Sequence, residues 1–251
     1  MSQDLEVGQT HPRPRFEHQE FVPARSLLGL TSGLAPVDSL LGGLKPGSVV
    51  LLTGSRIRLH AAERYCVRAQ LPVARGGLGG GAYFIDGGNS FDVYLFTELA
   101  RRHRLDYDAA LNRQLLSRAF TVYELRSLIE DSAAFFETKK PKLLIVSEVL
   151  SLFTEDVERT EAARIVSGIA DRISEFSRTE HAPVLMTSAA RPQELTPLLE
   201  ERCAISAEVV EGGGWLRSRL YKHPSKGPFE LRSETVPRSF NQATLEATHY
   251  G

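Results

Sequence analysis

"LLTGSRIRLHAAERYC", residues 51–66, is the stretch on which the fold turns. An apolar run from Ser48 to Thr53 breaks at Gly54, and apolar residues then recur at Ala62, Tyr65, Cys66 and Ala69 with helical spacing. Strand, loop and helix in that order are the setting of a phosphate-binding loop, whose pattern is G-x-x-x-x-G-K-[ST]. There the second glycine lets the backbone curl, the lysine neutralises phosphate oxygens and the hydroxyl binds magnesium. The same register here gives Gly54, Leu59, His60 and Ala61. The frame is present, and the side chains that would work in it are not.

Outward from this stretch, apolar runs recur at AYFID (82–86), LLSRAF (115–120), KLLIVS (142–147) and PVLMTS (183–188), and read as buried strands. Helical stretches lie between them. The clearest is residues 155–180, where Ala162, Val166, Ile169, Ile173 and Phe176 form one stripe and Thr154 is placed to cap the start. Alternating strand and helix predicts a mostly parallel sheet. After Arg202 the pattern changes to CAISAEVV, a Gly212-Gly213-Gly214 turn, WLRSRLYK, a second turn at HPSKGP, and FELRS. That is an antiparallel meander, expected to extend one edge of the main sheet because three short strands bury too little alone.

Composition narrows the function classes. Among 251 residues, 30 basic and 31 acidic side chains leave a net charge of -1, so any nucleic-acid surface must be local. Cys66 and Cys203 lie far apart without metal-ligand spacing. No apolar run approaches a membrane span and the polar start lacks a secretory core, from which a cytoplasmic location is expected. Residues 1–20 and 236–251 are expected to be mobile tails around a single core domain, residues 21–235.

Several segments, in order, resemble the ATPase core of the RecA/RadA recombinase family, in its archaeal and eukaryotic branch. They are LTSGLAPVDSLLGGLKPGSVVLLTG (30–54), QLPVARGGLGGGAYFIDGGNSF (70–91), SRAF (117–120), KLLIVS (142–147) and LYKHPSKGPFELRSE (220–234). The resemblance implies a RecA-like P-loop NTPase core: an α/β fold with a mostly parallel central sheet flanked by helices and a C-terminal antiparallel meander. It also implies a set of groups that hydrolyse ATP, each with a position here. Leu59 stands at the second loop glycine, where a Cβ opposes the curl. His60 replaces the lysine and offers less charge and reach, and Ala61 removes the magnesium ligand. The water-activating glutamate of the family falls on Gly88, and the aspartate ending the second nucleotide-site strand falls on Ser147. Five losses together remove charge, metal and base, so the chain is expected to be a pseudo-ATPase with no cofactor, metal or catalytic residues.

Arg56 and Arg58 flank the loop and are read either as residual phosphate contacts or as solvated or partner-facing charges. Phe21 and Ala24 match an F-x-x-A segment by which such recombinases seat one subunit on a neighbour's sheet edge, or else staple the tail to its own core. The two family DNA loops correspond to an acidic SLFTEDVERTEAAR and to AARPQELTPLLEERC, with Arg191 the basic residue near the start of the second. Basic clusters at Arg101, Arg102, His103 and Arg104, at Lys139, Lys140 and Lys142, and at Arg217, Arg219, Lys222 and Lys226 read first as solvated surface. Cys66 is expected in the core, and Trp215 over the end of the meander. The expected role is a non-catalytic accessory or regulatory subunit in recombination or repair, associated with a recombinase or related RecA-like ATPase and with no membrane. The alternatives are a nucleotide-binding protein that does not hydrolyse, and a DNA-binding module using the basic clusters.

Overall fold

Each central strand carries apolar residues on both faces, and the architecture follows from that. The computed structural model describes residues 29–154, 157–189 and 194–233. Both expected tails, Phe21, Ala24 and Arg191 lie outside the described residues. Eight strands form one sheet: β1 (Val49–Gly54), β2 (Ala82–Asp86), β3 (Leu115–Arg118), β4 (Leu143–Ser147), β5 (Val184–Ser188), β6 (Ile205–Gly212), β7 (Trp215–Lys222) and β8 (Phe229–Ser233). Their order is β3-β2-β4-β5-β1-β6-β7-β8. Pairing is parallel from β3 through β6 and antiparallel from β6 to β8, so the meander extends the β1 side of the main sheet as expected.

Side chains alternate between two apolar layers. Val50, Leu52, Phe84, Ile145 and Leu185 belong to one, and Val49, Leu51, Tyr83, Ile85, Leu144, Val146, Val184 and Met186 to the other. Helices α1 (Ala35–Leu41), α2 (Ile57–Ala69), α3 (Val93–Arg102) and α4 (Tyr107–Arg113) contribute to the first layer. Helices α5 (Val122–Glu130), α6 (Ser132–Lys139), α7 (Arg159–Glu180) and α8 (Thr196–Arg202) contribute to the second. Each fully buried Leu, Ile or Phe in these layers is worth about 1.5–3 kcal/mol. Cys66 and Cys203 are buried and unpaired, in keeping with a core role.

Two local expectations need correction. The run LLSRAF is not a buried strand: β3 is an edge strand with Leu116 and Arg118 turned outward, because its Ser-Arg end alternates in polarity. Thr154 does not cap α7. The helix starts at Arg159, and the Glu158 carboxylate accepts from Thr160 N (3.0 Å) and Glu161 N (3.1 Å). The five-residue stripe itself, Ala162 to Phe176, is buried throughout. Among the described residues no helix is long and apolar enough to cross a membrane.

Candidate functional site

The C-terminal ends of β1, β2, β4 and β5 bring the sequence-selected positions together. Strand β1 ends at Gly54 with φ 115°, where a Cβ would stand 2.1 Å from the Val209 carbonyl oxygen, so only glycine fits. The chain then turns helical almost at once. Arg58 N donates to Ser55 O (3.1 Å), and Leu59 N and His60 N donate to Arg56 O (2.9 and 3.2 Å). The loop read from the sequence between Gly54 and His60 is thus reduced to Ser55 and Arg56 before α2 begins. Amide groups that would line a phosphate cradle are instead spent on the helix's own first turn.

Arg58, which the sequence places beside the loop, lies inside the protein. Its guanidinium donates from Nε to Glu148 Oε1 (2.8 Å), from Nη2 to Glu148 Oε2 (2.7 Å) and from Nη1 to the Gly54 carbonyl (2.7 Å). Both side chains are only 9% exposed, so this is a bidentate pair in a nearly dry site. Glu148 follows β4 directly and sits at φ 56°, a left-handed conformation that costs a non-glycine residue about 1–2 kcal/mol. The surroundings hold it there. Its amide donates to Thr187 Oγ1 (3.1 Å), which itself donates to Glu148 Oε1 (3.3 Å), and Ser151 Oγ bridges the carbonyls of Glu148 (2.9 Å) and Gly87 (2.7 Å).

Gly88 takes a second meaning from this geometry. A Cβ at Gly88 would lie 2.6 Å from both Cβ and Cγ of Glu148. The space in which the family's glutamate is expected is occupied by Glu148, which reaches toward Arg58 instead. Ser147 is fully buried and joins a hydroxyl ladder, with Ser90 Oγ at 2.7 Å and Thr187 Oγ1 at 3.1 Å. Beside it the buried Asp86 carboxylate accepts from Ser90 N (2.9 Å), Ser90 Oγ (2.9 Å) and Phe91 N (3.1 Å), organising the turn after β2.

The remaining loop positions face other tasks. Ala61 is fully buried, and Leu59 and His60 are half-buried. Burial first, then the Arg56 charge, pushes the His60 imidazole below its ordinary value, so it is neutral at pH 7. Arg56 is exposed at the helix start. One turn beyond His60, Glu63 is 2% exposed; its Oε1 accepts from Asp92 N (2.7 Å), and Oε2 has no partner. Burial raises its carboxyl to about 8, so Glu63 is predominantly protonated at pH 7. Sequence reading missed both Glu63 and Glu148. The signal for Glu148 is an acid directly after Ser147, where the resemblance expects an aspartate, together with a glycine at position 88.

Members of two of the three basic clusters are engaged by neighbours. Arg101 covers the Tyr107 ring (4.7 Å), Arg102 pairs with Glu98 (2.6 Å), Arg217 with Glu208 (3.4 Å) and Arg219 with Glu230. Lys222 donates to the carbonyls of Glu200 and Glu201 (3.1 Å each), and Lys226 to that of Ser39 (2.8 Å). Trp215 packs against the Gly212 turn under Arg232, 5.2 Å from its ring.

Known proteins bear on this geometry. A Rad51 family profile matches residues 24–184. The human meiotic recombination protein DMC1/LIM15 homolog is 29% identical over 245 residues, which cover 93% of this chain and 70% of that protein. Its mouse counterpart is 29% identical over 231 residues, 87% of this chain and 67% of the relative. The DNA repair protein RAD51 of Saccharomyces cerevisiae is 29% identical over 133 residues, 52% of this chain and 33% of that protein. The fold is RecA-like in its parallel sheet, flanking helices and terminal antiparallel strands, and the profile spans most of the described core. The chain belongs to the Rad51 family.

Proposed function

We propose that this chain is a non-catalytic accessory or regulatory subunit of DNA recombination or repair, acting through association with an active recombinase. Family membership and relatives named for meiotic recombination and DNA repair support the process. The observation that carries the non-catalytic part is the Arg58–Glu148 pair. Arg58 stands between Gly54 and the position of the expected loop lysine, and a carboxylate of the same chain neutralises it. A triphosphate would have to displace a bidentate buried ion pair, with no lysine, no hydroxyl at Ala61 and no glutamate at Gly88 to compensate. The same commitment weighs against Arg58 as a residual phosphate contact.

Association has a place to occur. Among the described residues, strand β3 closes one side of the sheet with no strand beyond it, and Leu116 (40% exposed) and Phe120 (75%) stand beside it. Recombinases of the resembling branch seat a neighbour's segment on a sheet edge, and this edge is open to such a partner. The test is native co-purification of the tagged chain with the recombinase of its host, with and without Phe120→Asp. Stoichiometric recovery of the recombinase, reduced by the substitution, is the expected result. Absence of the recombinase from the native complex refutes the accessory reading.

A further inference from the structure

At the cap of α2 and along it, Arg56, His60, Arg64 and Arg68 recur every fourth residue, about 6 Å apart along the axis, and form a flank that is half-exposed or fully exposed while Ala61, Ala62, Tyr65 and Cys66 between them are buried. The flank is fixed in place. Arg64 Nε donates to the Ser32 carbonyl (3.1 Å), and Arg68 donates from Nε to the Thr31 carbonyl (2.6 Å) and from Nη2 to Thr31 Oγ1 (2.9 Å). The two forks converge over Gly33, where a Cβ would stand 3.4 Å from Arg68 Nη1 and 3.5 Å from Arg64 Nη2. Arg75 lies near the same side, its Nη2 donating to the carbonyl of His103 (3.1 Å), a residue whose imidazole Arg64 and Arg68 also influence.

These anchors are neutral carbonyls and a hydroxyl. Among the described residues, none of Arg56, Arg64, Arg68 and Arg75 has a carboxylate at ion-pair distance, whereas Arg58, Arg202, Arg217 and Arg219 each do. Asp38, which accepts from the amides of Ser32 and Gly33, offsets part of the charge near Arg64, and Asp92 offsets part near His60. The field of the ridge registers on both histidines beside it. After burial, Arg56 and Arg64 lower His60, while Arg68, Arg64 and Arg75 lower His103.

We infer that this ridge is a docking surface for an acidic, carboxylate-rich segment of a protein partner. The inference rests on the accessory reading and gives that association a second contact. Guanidinium forks pre-set by backbone carbonyls suit bidentate carboxylates. Nucleic acid fits less well: α2 presents no exposed aromatic ring on which bases stack.

The probe is fluorescein-labelled oligoglutamate, titrated against the full chain by anisotropy at low and physiological salt, with duplex DNA of similar charge as the competitor. Saturable binding that weakens with salt is expected. It should fall roughly tenfold in Arg56→Glu/Arg75→Glu, which changes two exposed side chains, and stay unchanged in Lys139→Glu/Lys142→Glu. No saturable binding, or an equal loss in both variants, overturns the proposal. Tighter binding of the duplex through the same two arginines overturns the choice of partner. Recombinase capture by Arg56→Glu/Arg75→Glu is read separately. Retained capture there, together with no oligoglutamate binding, removes the ridge and leaves the accessory reading standing.

Discussion

Two Arg–Glu contacts in this molecule look alike and differ in what they do. Arg58–Glu148 joins the ends of the central strands with both side chains 9% exposed, whereas Arg219–Glu230 crosses from β7 to β8 with 37% and 42% of the side chains in water. In solvent, high dielectric and salt screen the attraction, and such pairs contribute little. In the nearly dry site neither charge can be left alone. The buried pair is therefore a structural plug whose two halves depend on each other, at the position where the sequence resemblance leads one to expect phosphate handling.

The largest expected effect comes from breaking the plug. Glu148→Ala leaves Arg58 as an uncompensated buried cation and should cost about 3–5 kcal/mol in urea unfolding. The joint variant Arg58→Leu/Glu148→Leu removes both charges and should recover most of that loss. A joint loss equal to the sum of the single ones would show that the two residues do not act as a pair.

Glu63 sharpens the contrast, being a buried carboxyl with no cation at ion-pair distance among the described residues. Its folded value, about 8 against an ordinary 4.5, lies above the unfolded one. Its contribution is therefore fully present below pH 4.5 and is lost as pH rises toward 8, an effect on the order of a few kcal/mol. Glu63→Gln should flatten the fall in thermal midpoint between those limits. A profile identical to that of the unmodified chain would mean that the carboxyl is not buried in its neutral form.

Filling Gly88 comes next. Gly88→Ala sets a methyl 2.6 Å from Glu148 Cβ and Cγ and should destabilise by about 1–3 kcal/mol. In a Glu148→Gly background the same change should cost little, and a double-mutant cycle reads the difference. The smallest effect belongs to the exposed pair. Arg219→Ala should change stability least of all, and less still in high salt; a loss matching that of Glu148→Ala would erase the contrast.

Much of this was legible in the sequence, for physical reasons that also mark where legibility ended. Strands such as AYFID and KLLIVS are buried on both faces, so their apolar runs are continuous and visible. The run LLSRAF misled because an edge strand also starts apolar, and only the sheet order shows which strand lies at the edge. Substituted positions at Leu59, His60, Ala61, Gly88 and Ser147 could be read one at a time. The Arg58–Glu148 contact could not: the two residues are 90 apart, and their meeting depends on β1 and β4 ending at the same level of the sheet. Helix α2 beginning at Ile57 was likewise hidden, since register alone does not say where a loop becomes a helix.

The central claim is that a carboxylate of the chain itself fills the site in which relatives would hold a triphosphate. Magnesium-ATP titrated into the purified chain, with phosphate release followed in the same samples, tests it most directly. The account predicts no saturable heat and no release above the rate without protein. Stoichiometric binding with steady turnover that is abolished by Arg58→Ala would contradict it.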